Sequence, residues 1–179
     1  LLYILFENLA EGKLTLDDTF PVSEKAWRMG GSKMFVEVGK RIAIRDLLRG
    51  IIVQSGNDAC IVVAEGLGGT ESAFAQRMTE RGRELGLKNS TFMNSSGWPE
   101  DGHMMTARDL ATLAMHIIHD FPQYYEIFSE TSFTFNGIKQ PNRNPLLFSY
   151  PGTDGVKTGH SEEAGYGLVG SAVRNGRRL

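Results

Sequence analysis

Apolar positions recur at helical spacing through the first two thirds of the chain. Leu110, Leu113, Ala114, Ile117 and Ile118 follow the i, i+3, i+4, i+7, i+8 spacing of an amphipathic helix. Thr106 with Asp109 has the form of a capping box that opens this helix, and Pro122 ends it. Thr70 can cap another helix over residues 71–85, with Gly86 as its stop and Phe74, Met78 and Leu85 on its inner face. Residues 56–66 are apolar on nearly all sides, which predicts a buried helix. Asp46 opens a short helix, "DLLRGIIV", and "LLYILFENLAEG" reads as the later turns of a helix that stops near Gly12. "SKMFVEV", Ser32 to Val38, has strand character, with Gly39 as a turn.

The period changes beyond residue 130. "SFTFNGIKQ" places Asn136-Gly137 between two strand-like runs, a strong hairpin signal, and "GYGLVGSAVRNGRRL" repeats the device at Asn175-Gly176. Helices followed by antiparallel strands predict an α+β fold rather than alternating βαβ units. The expected organisation is one domain over 1–179, helical to about residue 130 and strand-rich from about 131 to 179.

Composition narrows the function. The 179 residues fit one ordinary domain or part of a larger one. Apolar residues at 41% suffice for a core, which argues against disorder. A net charge of −2 without a basic run argues against nucleic acid and anionic membrane surfaces. No apolar stretch approaches the ~18 residues of a membrane span. The opening run lacks the charged region and cleavage site of a signal peptide. The single cysteine, Cys60, excludes an internal disulfide and reads as a buried inert thiol. His116 and His119 fall on the polar face of their helix with no third ligand placed to help, and read as a solvated pair. No metal or cofactor is expected.

Two short stretches carry candidate chemistry. Ser55-Gly56-Asn57 opens the buried helix, and Lys157-Thr158-Gly159 lies at or beside a strand far downstream. Two polar residues two apart at a helix start can be presented to a cleft by one turn. Taken alone, Lys157-Thr158-Gly159 also reads as a solvated Lys and Thr before a turn glycine. Ser-x-Asn and Lys-Thr-Gly together occur in penicillin-binding proteins and serine β-lactamases, where an upstream Ser-x-x-Lys completes the set. The segments "SGNDA", "LGLKNSTF", "TARDLA", "FTFNGIKQPNRNPLL" and "DGVKTGH" with "AGYGLVGSA" follow in order. Together they resemble the low-molecular-weight penicillin-binding proteins that act as D-alanyl-D-alanine carboxypeptidases, over nearly the whole chain.

The resemblance implies a penicillin-binding transpeptidase fold and a reaction. A Ser-x-x-Lys serine attacks the carbonyl between two terminal D-alanines, an acyl-enzyme forms, and water frees the shortened peptide. Ser55 would pass a proton to the leaving amine. Asn57 would hold the substrate amide and orient the motif lysine, and Lys157 would supply positive potential. Thr158 would bind the terminal carboxylate of peptide or penicillin. Gly159 would let the substrate approach as an added strand, and the His160 N–H would complete the oxyanion hole. Arg143 matches a family arginine near the cleft, with loop bracing an equal alternative. His103 reads as a loop residue, Trp98 as partly packed, and Glu162 with Glu163 as a solvated turn.

The sequence departs from the family in one respect: none of its serines has a lysine three positions on. The nucleophile is therefore expected a few residues before Leu1, and the chain alone is expected to be inactive. The sheet is expected to be incomplete, so that these residues alone would associate or dissolve poorly. The partners implied are a peptidoglycan stem peptide ending in D-Ala-D-Ala and β-lactams. An extracytoplasmic location is implied, with membrane association only through parts outside this chain. A D,D-endopeptidase, a serine β-lactamase and a non-catalytic binding module remain alternatives. Against a class A β-lactamase stand Gly56 in the middle of Ser-x-Asn and the lack of a Glu-x-x-Leu-Asn segment.

Overall fold

Residues 57–68 form the helix on which the molecule is built, and seven consecutive residues of it, Asp58 to Ala64, are buried. An apolar run of that kind can only be accommodated with other elements packed around it. The computed structural model describes residues 1–179. In chain order the elements are α1 (Leu2–Ala10), β1 (Thr19–Pro21), α2 (Glu24–Arg28), β2 (Arg41–Ala43) and α3 (Ile44–Ile52). Next come α4 (Asn57–Gly68), α5 (Glu71–Glu84), α6 (Ala107–Asp120), α7 (Pro122–Tyr125) and a 3-10 turn over Glu126–Ser129. The last third holds β3 (Ser132–Phe135), β4 (Ile138–Pro141), α8 (Leu146–Ser149), β5 (Thr153–Ser161), β6 (Gly165–Arg174) and β7 (Arg177–Arg178).

The predicted caps close as chemistry requires. Thr70 accepts the Ala73 N–H and Thr106 accepts the Asp109 N–H, each satisfying an otherwise orphaned helix donor. The box at Thr106 is half of what the sequence suggests, because the Asp109 carboxylate turns to the Asn89 N–H and the Ser90 hydroxyl instead. Glu71 and Asp58, in the first turns of α5 and α4, are used in the same way. Glu71 accepts the Ser95 N–H and hydroxyl, and Asp58 accepts the N–H groups of Met34, Phe35 and Val36. Each carboxylate ties a loop to a helix start, where the helix dipole favours negative charge.

The strand expected over 32–38 is absent. Its N–H groups at 34–36 are bonded to Asp58 rather than to a partner strand, and Phe35 stands at φ 67, in the left-handed region. On α6, Ala114 and Ile117 are buried as the periodicity requires, but Leu110 is exposed.

The main core joins 27 buried residues drawn from the helices and the first strands, including Phe6, Leu47, Ile61 and Phe128, and Val156 is its only member beyond residue 130. Phe6 stacks on Tyr124 and Tyr125 on Phe128. The strands are all antiparallel, in three groups: β1 with β2, β3 with β4, and a sheet ordered β5-β6-β7. Both Asn-Gly pairs make the tight turns foreseen, with Asn136, Gly137, Asn175 and Gly176 all at positive φ. Within the last sheet β5 is an edge strand.

Candidate active site

Ser55 lies in the short connection between α3 and α4, at φ 58. Such a backbone is unfavourable for a residue with a Cβ and is held only by surrounding structure. The neighbours supply it. Gln54 is fully buried and donates through Nε2 to the Phe133 carbonyl, while its Oε1 has no partner. The Gly56 N–H donates to the Gly50 carbonyl. Gly56 has no room for a side chain, since a Cβ would stand 2.9 Å from both the Met34 nitrogen and Asp58 Oδ1.

Lys157 reaches this turn from β5. Its Nζ donates to Ser55 Oγ at 2.7 Å and to the Thr158 carbonyl at 2.9 Å. The first bond joins residues 102 apart in sequence. Burial pushes the Lys157 ammonium down to about 8, and the nearby Arg143 charge pushes it the same way. A hydroxyl has one proton and two lone pairs, so accepting from Lys157 leaves the Ser55 proton free to be donated.

Asn57 begins α4 with its backbone N–H on the Ser32 carbonyl and its Nδ2 on the Gly30 carbonyl. Its Oδ1 takes no hydrogen bond from the protein. Arg143 is exposed and donates to Ser32 Oγ at 2.5 Å, so it braces the same loop that Asn57 touches. Asn144 beside it donates to the Gly155 carbonyl and so fixes the approach to Lys157. Asp154 accepts from Tyr125 and pairs with Arg178.

The remaining residues of the Lys157 stretch run along the β5 edge. Thr158 pairs with Leu168, Gly159 with Gly167 and His160 with Tyr166. A Cβ at Gly159 would meet nothing within 4 Å, so the strand is open there. The exposed His160 ring lies 4.1 Å from that of Tyr166, which is 90% exposed. Ser55 and Lys157 are thus in direct contact, with Asn57 two residues from Ser55 on the α4 start. Thr158, Gly159 and His160 continue from Lys157 along one edge.

Other residues are engaged elsewhere. His103 accepts from the Met93 N–H, and burial lowers its affinity for a proton. His116 and His119 share Asp120, and His116 also bonds the Leu85 carbonyl, so it is less free than its polar-face position suggests. Trp98 is half-exposed with its ring against Gly30 and Gly31. Cys60 is buried and its thiol is pushed up to about 12. Asp58, Gln54 and Asn144 were passed over by the sequence reading. The first two carried a signal in being strongly polar beside an apolar run, where burial demands specific partners.

Known proteins provide a comparison. Residues 2–179 match the model of peptidase family S11, D-alanyl-D-alanine carboxypeptidase. The chain is 42% identical over 184 residues to the D-alanyl-D-alanine carboxypeptidase DacC of Escherichia coli, covering 99% of this chain and 46% of that protein. The structure of penicillin binding protein 5 from Haemophilus influenzae superposes with a TM-score of 0.93 at 41% identity, over 98% of this chain and 53% of that one. Penicillin-Binding Protein D2 from Listeria monocytogenes in the ampicillin bound form gives a TM-score of 0.86 at 29% identity, over 98% and 72%. The chain spans about half the length of the curated relatives it matches. With one family model covering all but its first residue, this chain belongs to the D-alanyl-D-alanine carboxypeptidase family.

Proposed function

We propose that the protein is a serine-type D-Ala-D-Ala carboxypeptidase that removes the terminal D-alanine from peptidoglycan stem peptides and is acylated by β-lactams. The observation that carries this reading is the Lys157 Nζ to Ser55 Oγ bond, which joins the two family motifs across 102 residues. Relatives of the same name, and the ampicillin bound relative, support the substrate and the inhibitor. The setting is extracytoplasmic, on the cell wall of a bacterium. No helix here is long and apolar enough to cross a membrane.

Residues 1–179 hold no Ser-x-x-Lys, so their part is proton transfer and recognition. As the acyl-enzyme forms, the carbonyl–nitrogen bond between the two D-alanines breaks and the departing amine needs a proton. Ser55 passes on its own proton and takes in return the one that the attacking hydroxyl gives up, so it ends as it began. The Lys157 ammonium, held 2.7 Å away, stabilises the Ser55 oxygen during the exchange. Thr158 and Lys157 receive the carboxylate of the leaving D-alanine. The open edge of β5 at Gly159 takes the peptide as an added strand, and the His160 N–H faces the developing oxyanion. Asn57 offers Oδ1 to a substrate N–H. Arg143 braces the loop below Asn57.

D-alanine release from a pentapeptide ending in D-Ala-D-Ala tests this in the full-length protein. Wild type is expected to release it, and Ser55→Ala and Lys157→Ala are each expected to lower kcat/KM by about 10²-fold or more. Undiminished release by both variants would overturn the assignment.

A further inference from the structure

Asp58 is fully buried and forms no ion pair. A buried carboxylate without a cation is tolerated only when donors surround it. Here they are four backbone N–H groups. Oδ1 accepts from Met34 at 2.8 Å and Ala59 at 2.9 Å, and Oδ2 from Phe35 at 2.9 Å and Val36 at 3.1 Å. Three of the four belong to the loop over 30–36 and the fourth to α4, so the charge fastens that loop to the helix that carries Asn57. The fastening also holds Phe35 in its left-handed conformation.

The loop in turn fixes Asn57. The Gly30 carbonyl takes Asn57 Nδ2 at 3.1 Å, and the Ser32 carbonyl takes the Asn57 N–H at 2.9 Å. An amide has two ends that differ in chemistry, one donating and one accepting. With Nδ2 committed to Gly30, the end left over is Oδ1, an acceptor. If the loop moved, no other residue among 1–179 would choose between the two ends.

We propose that Asp58 is a positioning residue of the carboxypeptidase reaction, acting through the loop over 30–36 to hold the Asn57 amide with its oxygen free to accept from substrate. The inference rests on the reading that Asn57 serves catalysis. Asp58 itself touches no reacting atom. Its charge matters because one carboxylate can accept all four bonds, whereas an amide in its place would set an NH2 group against the loop N–H groups.

The test is a cycle of Asp58→Asn, Asn57→Ala and the double variant in the full-length protein. It is read as kcat/KM for D-alanine release and as the acylation rate with benzylpenicillin. Asp58→Asn is expected to lower both by about 10- to 100-fold, the scale of an ångström of misplacement. Placed on Asn57→Ala it is expected to add nothing, because the residue it positions is gone. Should Asp58→Asn fail to fold, Gly31→Ala shifts the same loop from its other end. Its Cβ would stand 2.8 Å from Asn57 Nδ2, and the same pattern of non-additive loss is expected. Losses that multiply in the double variant, or full activity of Asp58→Asn, would overturn the inference while leaving Asn57's role intact. Full activity of Asn57→Ala would instead show that the reading of Asn57 fails, and this inference with it.

Discussion

The two halves of the site are held in opposite ways. Ser55, in the connection before α4, and Asn57, at its start, are flanked by Gln54 and Asp58, neither of which has any exposed surface, and the seven residues of α4 that follow Asn57 are buried. Lys157 to His160 stand on a hairpin held chiefly by its own ladder to β6, with Gly159, His160, Tyr166, Gly167 and Leu168 all exposed. One side is fixed by packing throughout, the other by backbone hydrogen bonds, the reaching lysine and an anchor at its base, where Val156 enters the core and Asn144 bonds the Gly155 carbonyl. Changes in the packing that supports the helical side should therefore be read first in stability, and changes along the β5 edge first in activity.

The largest effect should come from the packed side. Phe6 is fully buried among Phe121, Tyr124 and Phe128. Phe6→Ala is expected to destabilise by about 3–5 kcal/mol in a denaturant melt. Leu168→Ala, on the exposed face of the hairpin, should stay within about 0.5 kcal/mol of wild type. Equal losses at the two positions would erase the contrast.

Lys157 comes next. Removing it should cost about 10²- to 10³-fold in kcat/KM, with a melt displaced far less than that of Phe6→Ala. Because the lysine meets Ser55 at 2.7 Å, the Ser55→Ala, Lys157→Ala double variant should fall short of the product of the single losses.

The pH response is smaller and has a definite sign. With its proton affinity lowered to about 8, Lys157 is charged below that pH and neutral above it. Activity that needs the charge should fall as pH rises through about 8. Lys157→Arg should lose that limb even if it lowers activity throughout, because a guanidinium does not titrate there. Stability moves the other way. Between about 8 and the ordinary lysine value the unfolded chain holds the proton that the folded chain has lost, so this group's contribution to stability rises with pH in that window.

The smallest effect is that of Arg143. Its charge helps to lower the Lys157 proton affinity, so Arg143→Ala should move the alkaline limb of kcat/KM to higher pH. An unmoved limb would show that burial alone sets the value.

What could be read from the sequence was what local chemistry dictates. Thr70 and Thr106 cap the helices they precede, the Asn-Gly pairs turn the hairpins, and the apolar run after Gly56 is buried. The candidate site was legible as two motifs, but their contact through Ser55 and Lys157 is a product of the whole fold. Residues 32–38 misled because their apolar pattern suits a strand, while their backbone donors are claimed by a carboxylate more than twenty residues away. No spacing rule reports such a bond. Asn144 and Arg178 were missed for the same reason, since each acts on a backbone or side chain distant in sequence.

The central claim is that these residues serve a serine acyl-enzyme, and an intact mass of the full-length protein before and after exposure to benzylpenicillin tests it most directly. One retained penicillin per chain is expected, formed much more slowly in Lys157→Ala. A folded protein that gains no mass, whether it ignores the drug or destroys it rapidly, would contradict it.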